Sequence, residues 1–466
     1  MKILEELDKI LKEFASVFHR ESAFEWFVVV VVAFLLRTDP CGVTSFIRAT
    51  GISPGEYHNL LHFFYSTAYS IKEVCMRWLQ ILLETAPIVK IKGCPVYVID
   101  DIKVAKEGEK MPAVKLQKQE SDNNSKPEYI MGHLWNAIGI LAQFGTYLFC
   151  LPVTLKIHDG YCLSPLVKNS TIQKASCHVL SILNAPFYII GDAFFTAKDF
   201  LANIISHGGH YIGRIRSSTV GYKPLEVQSQ IRRRGRPRKK GERVNLKKFF
   251  NQPQLFKKIS INSRKKTEDI LYYSTNLLWY DLEHLVRFVL TIFPDGKESI
   301  LISTDTSLSP EQIITAYQWR FRIESSFKAL VHLICGFAYH FWLKSMDKIK
   351  RENKEQYLHR ADDSYRTSFL RKIEAYERFV NIGAIALGIL QLISLRFSSY
   401  IWNHFPLWLR TTNKYEPPSE LVVRITLRYL LFKNFLKSKP RLLFSKIIGR
   451  KQSRKYTPSD FLISAA

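Results

Sequence analysis

Apolar residues recur at helical spacing from the start of the chain: Ile3, Leu4, Leu7, Ile10, Leu11 and Phe14 make one stripe, and residues 71–83 repeat the theme. Strand-like alternation is scarce up to about residue 88, so this stretch predicts helices. Residues 44–61, TSFIRATGISPGEYHNLL, hold two short helical pieces broken by Gly51 and the Ser53-Pro54-Gly55 turn. They fit a helix-turn-helix entering a major groove, or, as the plainer reading, a helical hairpin in a small bundle. The most apolar run, residues 23–36, contains Glu25 and falls short of the ~20 residues a bilayer core requires. It predicts a buried helix or strand of a soluble domain, and the N-terminus lacks the cleavage pattern of an export signal.

The pattern changes at Gly93. Val96-Tyr97-Val98-Ile99 is a short β-rich run ending in Asp100-Asp101, and residues 129–141 and 147–155 predict further strands. A helix is expected near residues 177–183. Phe187-Tyr188-Ile189-Ile190 then makes a buried strand closing at Gly191-Asp192, followed by a helix at 196–206 and a strand at 210–216. Strands joined by helices predict an α/β core with a mixed sheet. Residues 217–305 differ: a dense basic run at 231–248 precedes strand-like pieces at 270–273 and 286–293. Helical spacing returns at Pro310 and dominates to the end, with amphipathic stretches at 365–395 and 420–436, and no internal repeat is evident.

Composition narrows the function classes. A chain of 466 residues with 47% hydrophobic and 13% aromatic residues folds, and its length allows more than one domain. Lys and Arg number 67 against 41 Asp and Glu, a formal charge of +26 that attracts a polyanion, most commonly nucleic acid. The seven cysteines are never closer than 12 residues, which indicates neither a disulfide framework nor a zinc site and suits reduced cytosol.

Asp100 and Asp192 each end a short apolar strand, where a sheet presents side chains into a crevice. One such aspartate is ordinarily a turn or cap residue. In Tyr317-Gln-Trp-Arg-Phe-Arg-Ile-Glu-Ser-Ser-Phe-Lys328, helical spacing puts Tyr317, Arg320, Glu324 and Lys328 on one stripe. The plain reading of that stripe is a solvated face with Glu324 and Lys328 paired. The chemical reading is that of carboxylates on rigid elements, as phosphodiester cleavage requires: two Mg²⁺ (or Mn²⁺) ions about 3.5–4 Å apart activate the nucleophile and neutralise the leaving oxygen.

The order strand-Asp, strand-Asp, β-rich insertion, then Tyr-x2-Arg-x3-Glu resembles the insertion-sequence DDE transposases of the cut-and-paste type, whose signature is Tyr-x2-Arg-x3-Glu-x6-Lys. Tyr317, Arg320 and Glu324 match; Val331 stands where that family has its lysine, and Lys328 is the available substitute. The resemblance implies a ribonuclease-H-like α/β catalytic core of residues 91–216 and 306–350, a β-rich basic insertion at 217–305, an all-α DNA-binding region at 1–90 and an all-α region at 351–466. It implies that Asp100 or Asp101, Asp192 and Glu324 ligate the two metal ions. Neighbouring strand residues face opposite ways, so one of the Asp100-Asp101 pair aims at the metals. Asp100 is favoured, since in that family the aspartate directly follows the apolar run. Arg320 is expected to clamp a phosphate and Tyr317 to donate to a neighbouring one.

The implied partners are double-stranded DNA, as element terminal repeats and as target, and a second subunit to hold the second end, with no membrane. The implied setting is the nucleoid of a bacterial or archaeal cytoplasm. A catalytically inactive DNA-binding derivative and a nuclease of the same fold are the alternatives. Arg234-Gly235-Arg236-Pro237, followed by Arg238, has the core of a minor-groove-reading hook, with a phosphate-touching loop or an import signal as competing readings. Trp279 is a candidate wedge for a flipped base, with core packing the favoured reading. His133 and Trp135 are expected near the site without a role.

Overall fold

The computed structural model describes residues 2–453 except 41, 120–126, 165–169, 226–238, 264–265, 280–281, 283, 353, 411 and 436–440. Its chain divides into two units. The first comprises Met1–Ile88, Asp101–Lys168 and Ile323–Ala466, and the second Val89–Asp100 and Asn169–Arg322.

The first unit opens with α1 (Lys2–Lys12), α2 (Glu21–Leu36), α3 (Thr44–Thr50), α4 (Tyr57–Tyr65) and α5 (Ile71–Thr85). Helix α2 is buried on almost every side, which is why its sequence is an unbroken apolar run rather than a stripe. Helix α3 stops at Gly51, whose φ of +67° suits a residue without Cβ, and Pro54 opens the turn before α4. Phe46 of α3 and Phe64 of α4 pack on Phe379 with ring centroids 5.6 and 5.5 Å apart, so the apolar faces of this pair are used in the core.

Strand β1 (Lys90–Ile91) belongs to the second unit, and β2 (Cys94–Ala105) passes from the second unit to the first between Asp100 and Asp101. In the first unit β3 (Lys115–Lys118), β4 (Tyr129–Phe144) and β5 (Tyr147–Ile157) form an antiparallel array, followed by the short β6 (Tyr161–Cys162). In the second unit α6 (Thr171–Ile182) starts earlier than apolar spacing predicts, because Ser170 and Gln173 close a capping box. Strands β7 (Phe187–Gly191) and β8 (Gly209–Ile215), joined by α7 (Lys198–Ser206), run parallel to each other, and β7 runs parallel to β2. The parallel trio of the second unit and the antiparallel array of the first give the expected mixed α/β architecture, with helices at both ends of the chain.

The insertion contributes β9 (Val220–Tyr222), β10 (Arg243–Asn245), β11 (Lys257–Ser263), β12 (Lys266–Leu278), β13 (Leu285–Ile292) and β14 (Glu298–Ser303). Strand β14 pairs antiparallel with β8, so the insertion continues the sheet of its unit. Helix α8 (Pro310–Trp319) ends that unit. The first unit resumes with α9 (Arg322–Lys328), a π-helical turn at Ala329–Leu333, β15 (Gln356–Tyr357), α10 (Asp363–Arg396), α11 (Ser398–His404), α12 (Glu420–Phe435) and α13 (Leu443–Lys451).

Helix α10 is, among the described residues, the helix long and apolar enough to cross a membrane, and its apolar window is wholly buried in protein. It also covers β5. Asn381 accepts from the Leu155 N–H and donates to the Leu155 carbonyl, both at 2.8 Å, and Glu377 Oε1 accepts from the Ile157 N–H at 3.2 Å. Residues four apart on the helix thus satisfy backbone groups two apart on the strand.

Burial raises the Glu377 carboxyl from 4.5 to about 7, with Lys156 opposing. The folded state therefore binds this proton more tightly than the unfolded chain does. The associated stability is present below about pH 4.5 and is lost as pH rises through about 7. Glu377→Gln keeps an acceptor for Ile157 without the charge. Urea unfolding across pH is expected to show the variant gaining on the native protein above neutrality, with the gain vanishing near pH 4; parallel profiles would refute the assignment.

Candidate functional site

The second unit carries the first two carboxylates. Its β2–β7 register pairs Val96 with Tyr188, Tyr97 with Ile189 and Val98 with Ile190. The ladder ends at that last pair, two residues before Asp100 on β2 and before Asp192, which directly follows β7. The β7–β8 register ends at Gly191 opposite Gly213, so one residue on Arg214 flanks Asp192. Asp100, Asp192 and the exposed Arg214 thus each lie one or two residues beyond the stretches over which β2, β7 and β8 pair with one another.

Arg320 meets the first of these: its Nη1 lies 2.7 Å from Asp100 Oδ2, with both side chains largely buried. Tyr317 lies among the same charges. Burial raises its hydroxyl, Arg320 and Arg214 lower it, and Asp192 raises it further. The turn after β7 is fixed from the backbone side. Phe194 N–H donates to Asp192 Oδ1 at 2.9 Å, and the Tyr211 hydroxyl donates to the Asp192 carbonyl at 2.9 Å. The Tyr211 ring fits because Gly191 and Gly213 lack side chains: a Cβ there would meet its hydroxyl at 2.8 and 2.3 Å.

Asp101 is held differently. In the first unit it accepts from Asn136 Nδ2 at 2.9 Å, and His158 Nε2 stands 3.2 Å from its other oxygen. His158 is 2% exposed. Adjacent residues of β2 thus have separate partners: Asp100 in one unit with Arg320, Asp101 in the other with Asn136 and His158. Sequence reading missed Asn136, His158 and Arg214, whose partners are distant in the chain; the one local signal was Arg214's exposed position in the alternation of β8.

The signature segment requires a correction. A single helix carrying Tyr317, Arg320, Glu324 and Lys328 on one stripe was expected, but α8 ends at Trp319 and α9 begins at Arg322. The Arg320 N–H bonds back to the Tyr317 carbonyl at 3.1 Å, the tighter i→i+3 closure that ends an α-ladder. Glu324 sits half-buried in the first turn of α9, which belongs to the first unit, and Lys328 is exposed at its end. Ser326 anchors that helix by donating to the Cys150 carbonyl of β5.

Asp100 and Asp192 offer the hard oxygen donors that Mg²⁺ or Mn²⁺ takes. The Arg320 guanidinium now neutralises one of the two. Among the described residues no group of three or more His, Cys, Asp or Glu converges at metal-holding geometry. Arg234, Arg236 and Arg238 lie outside the described residues. Trp279 is 2% exposed, so it packs in the core and is no wedge. His133 is buried, with Nδ1 2.5 Å from the Tyr339 hydroxyl and Nε2 2.8 Å from the Pro112 carbonyl, and Trp135 packs beside it; both are core residues.

Residues 139–345 match the family model of the transposase DDE domain. The match takes in Asp192 and Glu324 and begins beyond Asp100. Over that stretch, less than half of its length, the chain is similar to the transposase DDE domain. No curated protein matches it. Among solved structures it is similar to a piggyBac transposase in a synaptic complex with hairpin DNA, at 11% identity and a TM-score of 0.34, covering 98% of this chain and 84% of that one.

Removing one partner of a buried ion pair leaves the other charge uncompensated. Arg320→Gln is expected to cost about 3–5 kcal/mol in denaturant unfolding, since the largely buried Asp100 then loses its cation. The double variant with Asp100→Asn should recover a large part of that loss. An Arg320→Gln protein as stable as the native one would mean that the pair holds nothing together.

Proposed function

We propose that this protein binds the ends of a mobile DNA element, cleaves them by metal-dependent hydrolysis and joins the 3′ ends to target DNA. The observation that supports the proposal is that Asp100 and Asp192 each follow the β2–β7 ladder by two residues, in a chain whose DDE-domain match includes Asp192 and Glu324. Asp100, Asp192 and Glu324 are the residues that would hold two Mg²⁺ or Mn²⁺ ions. Bound there, the ions would lower the pKa of the attacking water or 3′-hydroxyl and offset charge on the leaving oxygen.

The chain's other groups bind and orient. Arg320, once a cation replaces it at Asp100, is free to clamp a phosphate through its planar fork, and Arg214 lies where a second phosphate oxygen would reach. Tyr317, kept protonated by burial, donates a hydrogen bond. Exposed Lys328 supplies positive charge where Val331 supplies none. Asp101 has no ligand role in this reading: Asn136 and His158 hold it, and it orients β2. The +26 charge suits DNA, and two ends held together imply a homodimer on it.

A second reading has a specific observation in its favour. The Arg320–Asp100 pair and Val331 also suit a DNA-binding derivative that no longer cuts. A nicking assay on terminal-inverted-repeat DNA with Mg²⁺ or Mn²⁺ separates the two. Strand scission leaving 3′-hydroxyl ends, reduced at least about a thousandfold by Asp192→Asn or Glu324→Gln and retained in Asp101→Asn, is the expected result. Cutting that survives either of the first two changes would overturn the assignment. Salt-sensitive binding without scission would establish the derivative, and free ends that never join target DNA would indicate a nuclease.

A further inference from the structure

The segment after α11 presents its aromatic rings outward. Trp408 is 82% exposed, Tyr415 99% and Leu407 57%, on a chain whose other large apolar residues are mostly core. The backbone beneath is tied down. Trp402 Nε1 donates to the Glu416 carbonyl at 2.8 Å and Ser394 Oγ to the Pro418 carbonyl at 2.5 Å, which fixes where the segment rejoins α12. Within it, Thr412 Oγ1 donates to the Leu409 carbonyl at 2.8 Å, and the Tyr415 N–H donates to Asn413 Oδ1 at 3.1 Å. Pro406, Pro417 and Pro418 stiffen both ends. Rings held out on an ordered backbone lose little entropy when they are covered, so the arrangement suits binding.

The charges choose the partner. Arg410 and Lys414 are exposed between the two rings, and across residues 403–416 Glu416 is the sole acidic side chain. Aromatic faces accompanied by cations match a ligand that carries flat apolar surfaces alongside anions. A nucleic acid strand with unpaired bases is such a ligand: the bases stack on the rings and the phosphates meet the cations. A duplex hides its base faces and would engage the cations alone.

We infer that the 405–416 segment is a contact for unpaired bases, with Trp408 and Tyr415 as stacking platforms and Arg410 and Lys414 as phosphate partners. It fills on this chain the part that sequence reading offered to the buried Trp279. The inference rests on the DNA-processing reading above, and it places the recognition of distorted or single-stranded DNA in the first unit.

The test uses the full-length protein and two fluorescein-labelled DNAs: a blunt element-end duplex and the same duplex with a single-stranded tail of about six nucleotides. Anisotropy titrations of the native protein should show tighter binding of the tailed DNA. Trp408→Ala/Tyr415→Ala should erase that preference, a loss of roughly ten- to a hundredfold, with blunt-duplex affinity and Tm unchanged. Arg410→Ala/Lys414→Ala should flatten the dependence of log K on log salt for the tail by about 1.4.

A tail preference that survives ring removal, or none in the native protein, overturns the inference while leaving the transposase reading intact. Native protein that binds neither DNA at low salt overturns both. Sedimentation and vesicle flotation of the ring variant address other occupants: loss of self-association identifies a second copy as the partner, loss of binding to anionic vesicles a membrane, and either result overturns the assignment to bases.

Discussion

Two carboxylates cannot share one level on neighbouring parallel strands without a cation. At about 5 Å and an effective dielectric of about 20 their repulsion is about 3 kcal/mol, a large part of a domain's net stability. Asp100 and Asp192 each follow the β2–β7 ladder by two residues, and Arg320 meets Asp100. An arrangement that costs stability when bare and is relieved by positive charge is suited to capture cations, whether guanidinium or divalent metal. Arg320 lies in the same short segment as Glu324, so the residue that now neutralises the pair is close in the chain to the third carboxylate.

That arrangement depends on β2 being held in one rotational setting. Asp100 and Asp101 are chemically equivalent in sequence, and a strand rotated about its axis would exchange their faces. Asn136 and His158 fix Asp101, and fixing one face fixes the other. Behind them, α10 satisfies the outer backbone groups of β5 through Asn381 and Glu377, so that a strand of this unit is closed by helix side chains.

The parts legible in the sequence were those with local causes. The apolar runs of α2, β2 and β7 mark burial directly; Asp192 does stand where its strand stops, whereas β2 runs on through Asp100 to Ala105, beyond its apolar run. Spacing alone did not locate the break at Arg320 and Phe321, because two residues of tighter turn disturb helical periodicity too little to show in so short a segment. The roles of Asn136, His158 and Arg214 depend on the pairing of strands distant in sequence, which no local pattern encodes. The start of α6 was legible in principle, from Ser170 and Gln173, but the apolar pattern begins later than the capping box. The continuation of the insertion's sheet from β8 through β14 was likewise a matter of pairing and not of propensity.

The central claim is that Asp100 and Asp192, and not Asp101, make a cation site. Mn²⁺ titration of the purified protein, followed by electron paramagnetic resonance of the free ion, measures this without DNA or turnover. The account predicts that Asp100→Asn and Asp192→Asn each weaken Mn²⁺ binding at least about tenfold, while Asp101→Asn binds as the native protein does. Binding that is lost in Asp101→Asn and kept in Asp100→Asn would contradict it.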